Sequence, residues 1–268
     1  MKTSRLKNII IVILALTDAC LLVLLVSRRM QERSAQNRAV TELVSLYAAN
    51  GITLPASLVP VGGELPVSVE PSRSVEREAD FAASLLGVCD TEDVGGGIYR
   101  YVGKDGQCLL RSSGSVEAEL ARDVPDPESF VRRLCPDFGY TVVSSALDAA
   151  GSGTVTAVRV LPGATVFNAE LSFVFSERRL LSVSGSFVPP VEHETYASGI
   201  DSVGALVRFL DYSIESGNVC TAVTGVHSGY LLQSTASVSQ HLIPIWCVST
   251  DASRYYVNAI SGEVTREA

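Results

Sequence analysis

The sequence is poor in the residues and motifs that carry most enzyme chemistry. It holds only three histidines, two methionines and one tryptophan. Glu192-His193-Glu194 lacks the second histidine of a zincin helix, and no Gly-x-Ser-x-Gly segment marks a serine nucleophile. The glycines at 95–97 lack the spacing and the following lysine of a P-loop, which favours a flexible loop over a phosphate cradle. We therefore expect no catalytic residue, no metal site and no cofactor.

Basic charge is also scarce beyond the N-terminus. The chain has 21 Lys and Arg against 29 Asp and Glu, a net charge of −8. The first 33 residues hold six basic and two acidic side chains, a charge of +4, so the remainder carries −12. Nucleic acid and an anionic cytoplasmic leaflet both repel a domain of this charge. We expect no nucleic-acid partner, and we interpret Arg132-Arg133 and Arg178-Arg179 as solvated charges.

None of the six cysteines has zinc-ligand spacing. Besides Cys20 these are Cys89, Cys108, Cys135, Cys220 and Cys247. Most of the five stand in apolar helix or strand patterns, where a free cysteine behaves as a small hydrophobic residue. Their odd number leaves at least one thiol unpaired within the chain. This is the main objection to placing the domain outside the cytoplasm, if that compartment is oxidising.

An apolar run of membrane length occupies Ile9 to Val26. As a helix of 18 residues it would be about 27 Å long, close to the thickness of a bilayer's hydrocarbon core. A cleaved signal peptide is the alternative, but Ser27-Arg28-Arg29-Met30 makes a poor cleavage site. Basic residues flank the run on both sides, so the positive-inside rule gives no orientation. The acidity of the remainder favours a short cytoplasmic tail and an extracytoplasmic C-terminal domain.

Asp18 is a lone carboxylate in the middle of this run, next to Thr17. It either is a tolerated polar site, helped by Thr17 and local water, or forms with Thr17 a contact with another transmembrane helix. Intramembrane carboxyl groups usually find partners. A protonated Asp18 could donate a hydrogen bond across such a contact.

A helical stripe follows the apolar run. Val40, Leu43, Val44 and Tyr47 recur at helical spacing, and Asn50-Gly51 is typical of a helix end. The stripe indicates a stalk helix whose apolar face packs on other residues or in a coiled coil. The prolines and glycines of 52–73 predict an extended linker.

The C-terminal part contains a weak internal duplication. Helices are predicted to start at Asp126 and Asp201, and their Val-Arg motifs at 131 and 207 lie 76 residues apart. In each unit a helix precedes an antiparallel meander. The predicted strands lie near 140–147, 154–161, 167–176 and 179–188, and near 219–226, 229–237, 242–250 and 253–260.

These patterns predict an α+β protein with two tandem helix-plus-antiparallel-sheet units. The expected segments are a cytoplasmic tail at 1–8, a transmembrane helix at 9–27, a stalk helix at 28–51, a linker at 52–73, a helix and β-hairpin element at 74–124, a first α+β repeat at 125–190 and a second at 198–268.

Several segments resemble the YycI-like (YycH/YycI) membrane-anchored regulators of Gram-positive bacteria, and the repeated units look PepSY-like. The resemblance rests on the basic tail and span, Ala48-Ala49-Asn50-Gly51-Ile52, Phe81-Ala82-Ala83-Ser84-Leu85-Leu86-Gly87, Gly97-Ile98-Tyr99-Arg100-Tyr101, Pro244-Ile245-Trp246 and the stretch from Tyr255 to Val264. In that family the span is taken to associate with the span of a sensor histidine kinase and to restrain it. The resemblance implies this role for Asp18 and its helix, and supplies no catalytic residue.

The sequence thus predicts a non-enzymatic, single-pass regulator in the cell membrane. Its partners would be a membrane protein, namely a sensor histidine kinase of a two-component system, and a related regulator. The alternative is a tethered envelope binding module, or protease-inhibitor-like domain, for a peptide ligand.

Overall fold

The computed structural model describes residues 2–61, 68–189, 191, 194–195, 199–217, 220–235 and 238–267. In these ranges the chain forms four α-helices, two short 3-10 helices and one mixed sheet of 14 strands. The predicted α+β class is confirmed.

The helices are α1 (Lys2–Ala49), α2 (Val75–Leu86), α3 (Pro127–Leu134) and α4 (Ser202–Ser216), and the 3-10 helices are Ala56–Leu58 and Cys135–Phe138. Three of the four α-helices are capped at their start by a side-chain oxygen. The capping residue is Ser74 for α2, Asp126 for α3 and Asp201 for α4. Each accepts a hydrogen bond from a main-chain N–H three residues on, which satisfies a donor that has no partner inside the helix. The two helix starts predicted at Asp126 and Asp201 are confirmed.

Twelve of the 14 strands belong to two modules, and the short strands at 68–69 and 194–195 lie outside both. The strands are β1 (Ser68–Val69), β2 (Cys89–Gly95), β3 (Ile98–Gly103), β4 (Gly106–Arg111), β5 (Ser115–Asp123), β6 (Tyr140–Leu147), β7 (Gly153–Leu161), β8 (Ala164–Ser176), β9 (Arg179–Ser186), β10 (Glu194–Thr195), β11 (Val223–Thr235), β12 (Val238–Thr250), β13 (Arg254–Asn258) and β14 (Val264–Arg266). The N-terminal module (75–187) holds the antiparallel run β2-β3-β4-β5-β9-β8-β7-β6. The C-terminal module (199–267) holds the antiparallel run β11-β12-β13-β14.

The helix and hairpin element at 74–124 and the first repeat share one sheet. Ser115 to Asp123 of β5 pairs with β9, and α2 packs into the same core as α3. The structure therefore joins these two predicted segments within the N-terminal module.

A parallel pairing of β8 with β11 joins the two modules. Gly229 lies opposite Thr165, and Tyr230 lies opposite Val166. The sequence predicts two strands, 219–226 and 229–237, in the region that β11 occupies as a single strand. That prediction was wrong because Gly229 marks a close approach and not a turn. A Cβ at this position would lie 2.5 Å from the carbonyl oxygen of Thr165.

Each module has its own hydrophobic core. In the N-terminal module, α2 and α3 cover one face of the sheet, and the rings of Phe81, Phe138 and Phe187 meet at centroid distances of 5.0 to 6.1 Å. In the C-terminal module, α4 packs on the meander, where the ring centroids of Phe209 and Tyr255 are 5.0 Å apart. Aromatic contacts of this kind add to the free energy of burial.

All six cysteines are free thiols. Cys20 is exposed, Cys89 is half-buried, and the other four are buried. Burial raises the pKa of Cys108 and of Cys135 to about 12, so both thiols stay protonated at neutral pH. They act as small core residues, as their apolar sequence contexts indicate.

Candidate functional site

Two features of the structure bear on function. The first is the seating of α1 in the C-terminal module, and the second is an open cleft between α2 and α3.

The end of α1 is built into the core of the C-terminal module. Val40, Leu43 and Tyr47 are buried there, and the half-buried Val44 packs against the same cluster. The Tyr47 hydroxyl donates a hydrogen bond of 2.7 Å to the carbonyl oxygen of Leu206 in α4. Burial raises the pKa of Tyr47 well above its usual range, which keeps the hydroxyl a donor. The predicted stalk stripe therefore faces α4.

The chain continues to pack on this module after α1 ends. Ile52, Leu54 and Val59 are buried in the same core. Thr53 forms an isolated β-bridge with Ala222. The main-chain carbonyl oxygen of Thr53 accepts a hydrogen bond of 2.9 Å from the N–H of Val223. Residues 52–61, the first part of the predicted linker, thus hold the end of α1 against β11. Residues 62–67 lie outside the described ranges.

The N-terminal part of α1 presents apolar side chains to its surroundings. Leu21, Leu22, Val23, Leu24 and Leu25 are 58–64% exposed. Taken over the residues that the structure describes, no helix combines the length and hydropathy that crossing a membrane requires. Most side chains of the predicted span at 9–27 lie outside that description, so the span stays a prediction.

The structure places both residues of the predicted helix contact within α1. Thr17 is exposed, and the side chain of Asp18 lies outside the described part of the chain. Their contact with a partner helix stays a prediction.

The cleft between α2 and α3 has a volume of about 750 Å³. Its lining residues are Arg77, Asp80, Ser84, Arg122, Phe130, Arg133, Leu134, Asp137 and Phe138. The lining therefore combines three guanidinium groups, two carboxylates and two aromatic rings. This volume lies within the range of small-molecule sites.

Two of these guanidinium groups are held in place by rings and carbonyl groups. Arg122 Nη1 donates to the carbonyl oxygens of Ser84 and Leu85, at 2.7 and 2.8 Å, and the group lies 5.1 Å from the ring centroid of Phe130. Arg77 lies 5.4 Å from the ring centroid of Phe138. The C-terminal end of α2 thus fixes the position of Arg122 in the cleft.

Arg132 and Arg133 are both exposed, in agreement with their interpretation as solvated charges, but only Arg133 lines the cleft. Arg132 pairs with Glu128, with Nη2 2.8 Å from Oε1, and does not line the cleft. Arg133 lines the cleft, and its Nε donates to the carbonyl oxygen of Ser129 at 3.3 Å. The sequence alone gave no signal for this difference, because it depends on which side of α3 faces α2.

The glycines at 95–97 belong to a hairpin turn between β2 and β3. The Gly97 carbonyl oxygen accepts a hydrogen bond of 2.9 Å from Arg73. Arg73 also forms two hydrogen bonds, of 2.7 and 3.0 Å, with the buried carboxylate of Glu78. This bidentate pair ties the start of α2 to the turn, and it is a structural contact.

The two histidines that the structure describes lie on separate strands. His227 and His241, expected at a turn and just before a strand, lie within β11 and β12, and His193 lies outside the described residues. Among the described residues, no group of three or more His, Cys, Asp or Glu side chains could hold a metal ion.

Comparisons with known proteins give similarity in structure alone. Neither a scan of known protein families nor a search of curated proteins finds a match. One similar solved structure is an uncharacterized protein from Eubacterium rectale ATCC 33656, with a TM-score of 0.46 and 11% identity, covering 76% of this chain and 81% of that chain. Another is the C-terminal domain of YpeB from Bacillus megaterium, with a TM-score of 0.39 and 11% identity, covering 75% of this chain and 99% of that chain. Scores below 0.5 carry no conclusion, so YycI-like and PepSY-like membership stay predictions.

Proposed function

We propose that this chain is a membrane-anchored, non-enzymatic regulator with an extracytoplasmic domain. Its transmembrane helix associates with the span of a membrane protein, a sensor histidine kinase, and its outer domain modulates that partner. A related regulator is a second candidate partner.

The observation that carries this proposal is the continuity of α1. One helix of 48 residues leads from the apolar run into the core of the C-terminal module. A continuous helix transmits a shift or rotation of one end to the other, whereas a flexible linker would absorb it. A partner that contacts the span can therefore shift the outer domain, and a ligand that shifts the outer domain can change the contact at the span.

The exposed apolar residues of α1 support a lipid environment for its N-terminal part. Successive residues of a helix are about 100° apart, so the five residues at 21–25 cover all sides of α1. All five are more than half exposed. A helix that is apolar on every side is stable when buried in protein or in lipid. The 18-residue length of the run at 9–26 matches the bilayer core.

Asp18→Leu tests the contact with the partner helix. We expect recovery of a co-expressed sensor kinase with the full-length chain to fall about fivefold or more, because a hydrogen bond between helices is lost in the membrane. Asp18→Asn keeps a donor and should retain most of the recovery. The measurement is the amount of kinase that co-purifies in mild detergent, together with signalling in cells.

Cys20→Leu is the matched control, since it adds the same side chain about 200° around the helix. It should leave both readouts unchanged. Unchanged kinase recovery and signalling with Asp18→Leu would contradict the proposed helix contact.

The cleft between α2 and α3 favours a second candidate function, a tethered binding module for an envelope peptide. In that case the span would serve only as an anchor. Replacing residues 9–27 with an unrelated transmembrane helix separates the two functions. Retained regulation would favour the tethered module, and lost regulation would favour the helix contact.

A further inference from the structure

We infer that the cleft between α2 and α3 binds a carboxylate group attached to an apolar residue, as at the C-terminus of a peptide. This inference gives the tethered module its ligand class. It does not depend on the contact at Asp18, so the two can fail separately.

The charge of the cleft supports an anionic ligand. In the described part of the chain, no salt bridge joins Arg122 or Arg133 to a carboxylate. Arg133 does lie near Asp126, whose carboxyl pKa is lowered by hydrogen bonds with Ser129 and, to a smaller extent, by this guanidinium. The cleft carboxylate of Asp80 lies beside Arg77, with 3.7 Å between Nη1 and Oδ2. Asp137 also lines the cleft, and its carbonyl oxygen accepts from Arg77 at 2.8 Å. Three guanidinium groups against two carboxylates leave one positive charge in the lining of a chain whose net charge is −8.

Arg122 and Arg133 each keep N–H groups that form no hydrogen bond with the residues that the structure describes. Arg122 uses Nη1 for the two carbonyl groups at the end of α2, which leaves Nε and Nη2. Arg133 uses Nε, which leaves both of its Nη groups. Paired N–H groups of a guanidinium match the two oxygens of a carboxylate. Because Arg122 is already fixed by the carbonyl groups and by Phe130, it loses little conformational entropy on binding.

The apolar lining favours an organic carboxylate over a simple inorganic anion. Phe130, Leu134 and Phe138 line the same cleft as the two arginines. A volume of about 750 Å³ is much larger than an inorganic anion needs, and it accommodates an apolar side chain beside the carboxylate. The ligand would place its carboxylate on Arg122 and Arg133 and its apolar group against Phe130 and Leu134.

The test uses the full-length chain in lipid nanodiscs, with N-acetyl-phenylalanine as the probe and N-acetyl-phenylalanine amide as its neutral match. Binding is measured by ligand-observed NMR titration, with empty nanodiscs as the blank. We expect saturable binding of the carboxylate. The amide should bind at least about tenfold more weakly. Tighter binding of N-acetyl-Ala-Ala-Phe than of N-acetyl-phenylalanine would identify a peptide terminus as the ligand, and equal binding would identify a small organic acid.

Arg133→Gln should weaken binding of the carboxylate about tenfold, because the bidentate contact is lost. Arg132→Gln is the matched control and should not change binding, since Arg132 pairs with Glu128 outside the cleft. Arg122→Gln should also weaken binding. It removes contacts to α2 as well, so Arg133→Gln decides the outcome if the Arg122 variant does not fold.

The inference would be overturned by equal binding of the acid and the amide, by no saturable binding up to the solubility of the acid, or by equal losses in the Arg132 and Arg133 variants. Inorganic phosphate that competed as strongly as N-acetyl-phenylalanine would also overturn it, because the apolar lining would then contribute nothing.

Discussion

Replacing Tyr47 by alanine is expected to lower the free energy of unfolding of the C-terminal module by about 3–5 kcal/mol. The side chain has no exposed surface, and its hydroxyl bonds to the carbonyl oxygen of Leu206. The substitution would leave a cavity between α1 and α4 and weaken the packing of α1 on the module. The measurement is urea unfolding of the full-length chain in detergent micelles, followed by the fluorescence of Trp246, which is buried in this module.

Leu46→Ala is the control for this experiment. Leu46 lies one position earlier in α1 and is 45% exposed, so its truncation should change the free energy of unfolding by about 0.5 kcal/mol or less. Tyr47→Phe isolates the hydrogen bond and should cost about 0.5–1.5 kcal/mol. If Tyr47→Ala were as mild as Leu46→Ala, α1 would not be part of the core.

Gly229→Ala is expected to destabilise the parallel pairing of β8 and β11 between the modules by about 1–3 kcal/mol. The added Cβ would lie 2.5 Å from the carbonyl oxygen of Thr165 and 2.5 Å from the ring of Phe167. A main-chain oxygen cannot rotate away, so β8 and β11 must separate. The measurement is the same urea unfolding, together with hydrogen exchange of the amides at 165–166 and 229–230.

Gly225→Ala is the matched control in the same strand. Its Cβ would first meet Nε2 of His227 at 3.1 Å, and that exposed side chain can move. We expect a change in the free energy of unfolding of about 0.5 kcal/mol or less. Equal effects at positions 225 and 229 would contradict the close approach of β8 to β11.

The sequence predicts the parts of this fold that depend on local signals. Asp126 and Asp201 cap their helices through hydrogen bonds that span three residues, so the helix starts can be recognised from short patterns. The strand at 140–147 has the bounds that its sequence predicts, and the α+β class follows from such elements.

Features that depend on distant contacts could not be predicted in this way. Tyr47 bonds to a residue 159 positions away, so its stripe indicates burial without naming α4 as the partner. The sequence divides the region of β11 into two strands, because the pairing of Gly229 and Tyr230 with β8 depends on residues more than 60 positions away. The cleft unites Arg77 of α2, Arg122 of β5 and Arg133 of α3, and only the packing of these elements brings their side chains together.

Hydrogen exchange along α1, measured on the full-length chain in lipid nanodiscs, shows whether this helix is continuous from the lipid to the C-terminal module. If α1 is one continuous helix from the lipid to the core of the C-terminal module, the amides at 10–26 should be shielded by lipid. The amides at 27–49 should also exchange slowly, with no unprotected segment between the lipid-shielded residues and Ala49. Exchange of the amides at 27–39 at the rate of an unfolded peptide would contradict the account, because a flexible tether could not couple the span to the outer domain.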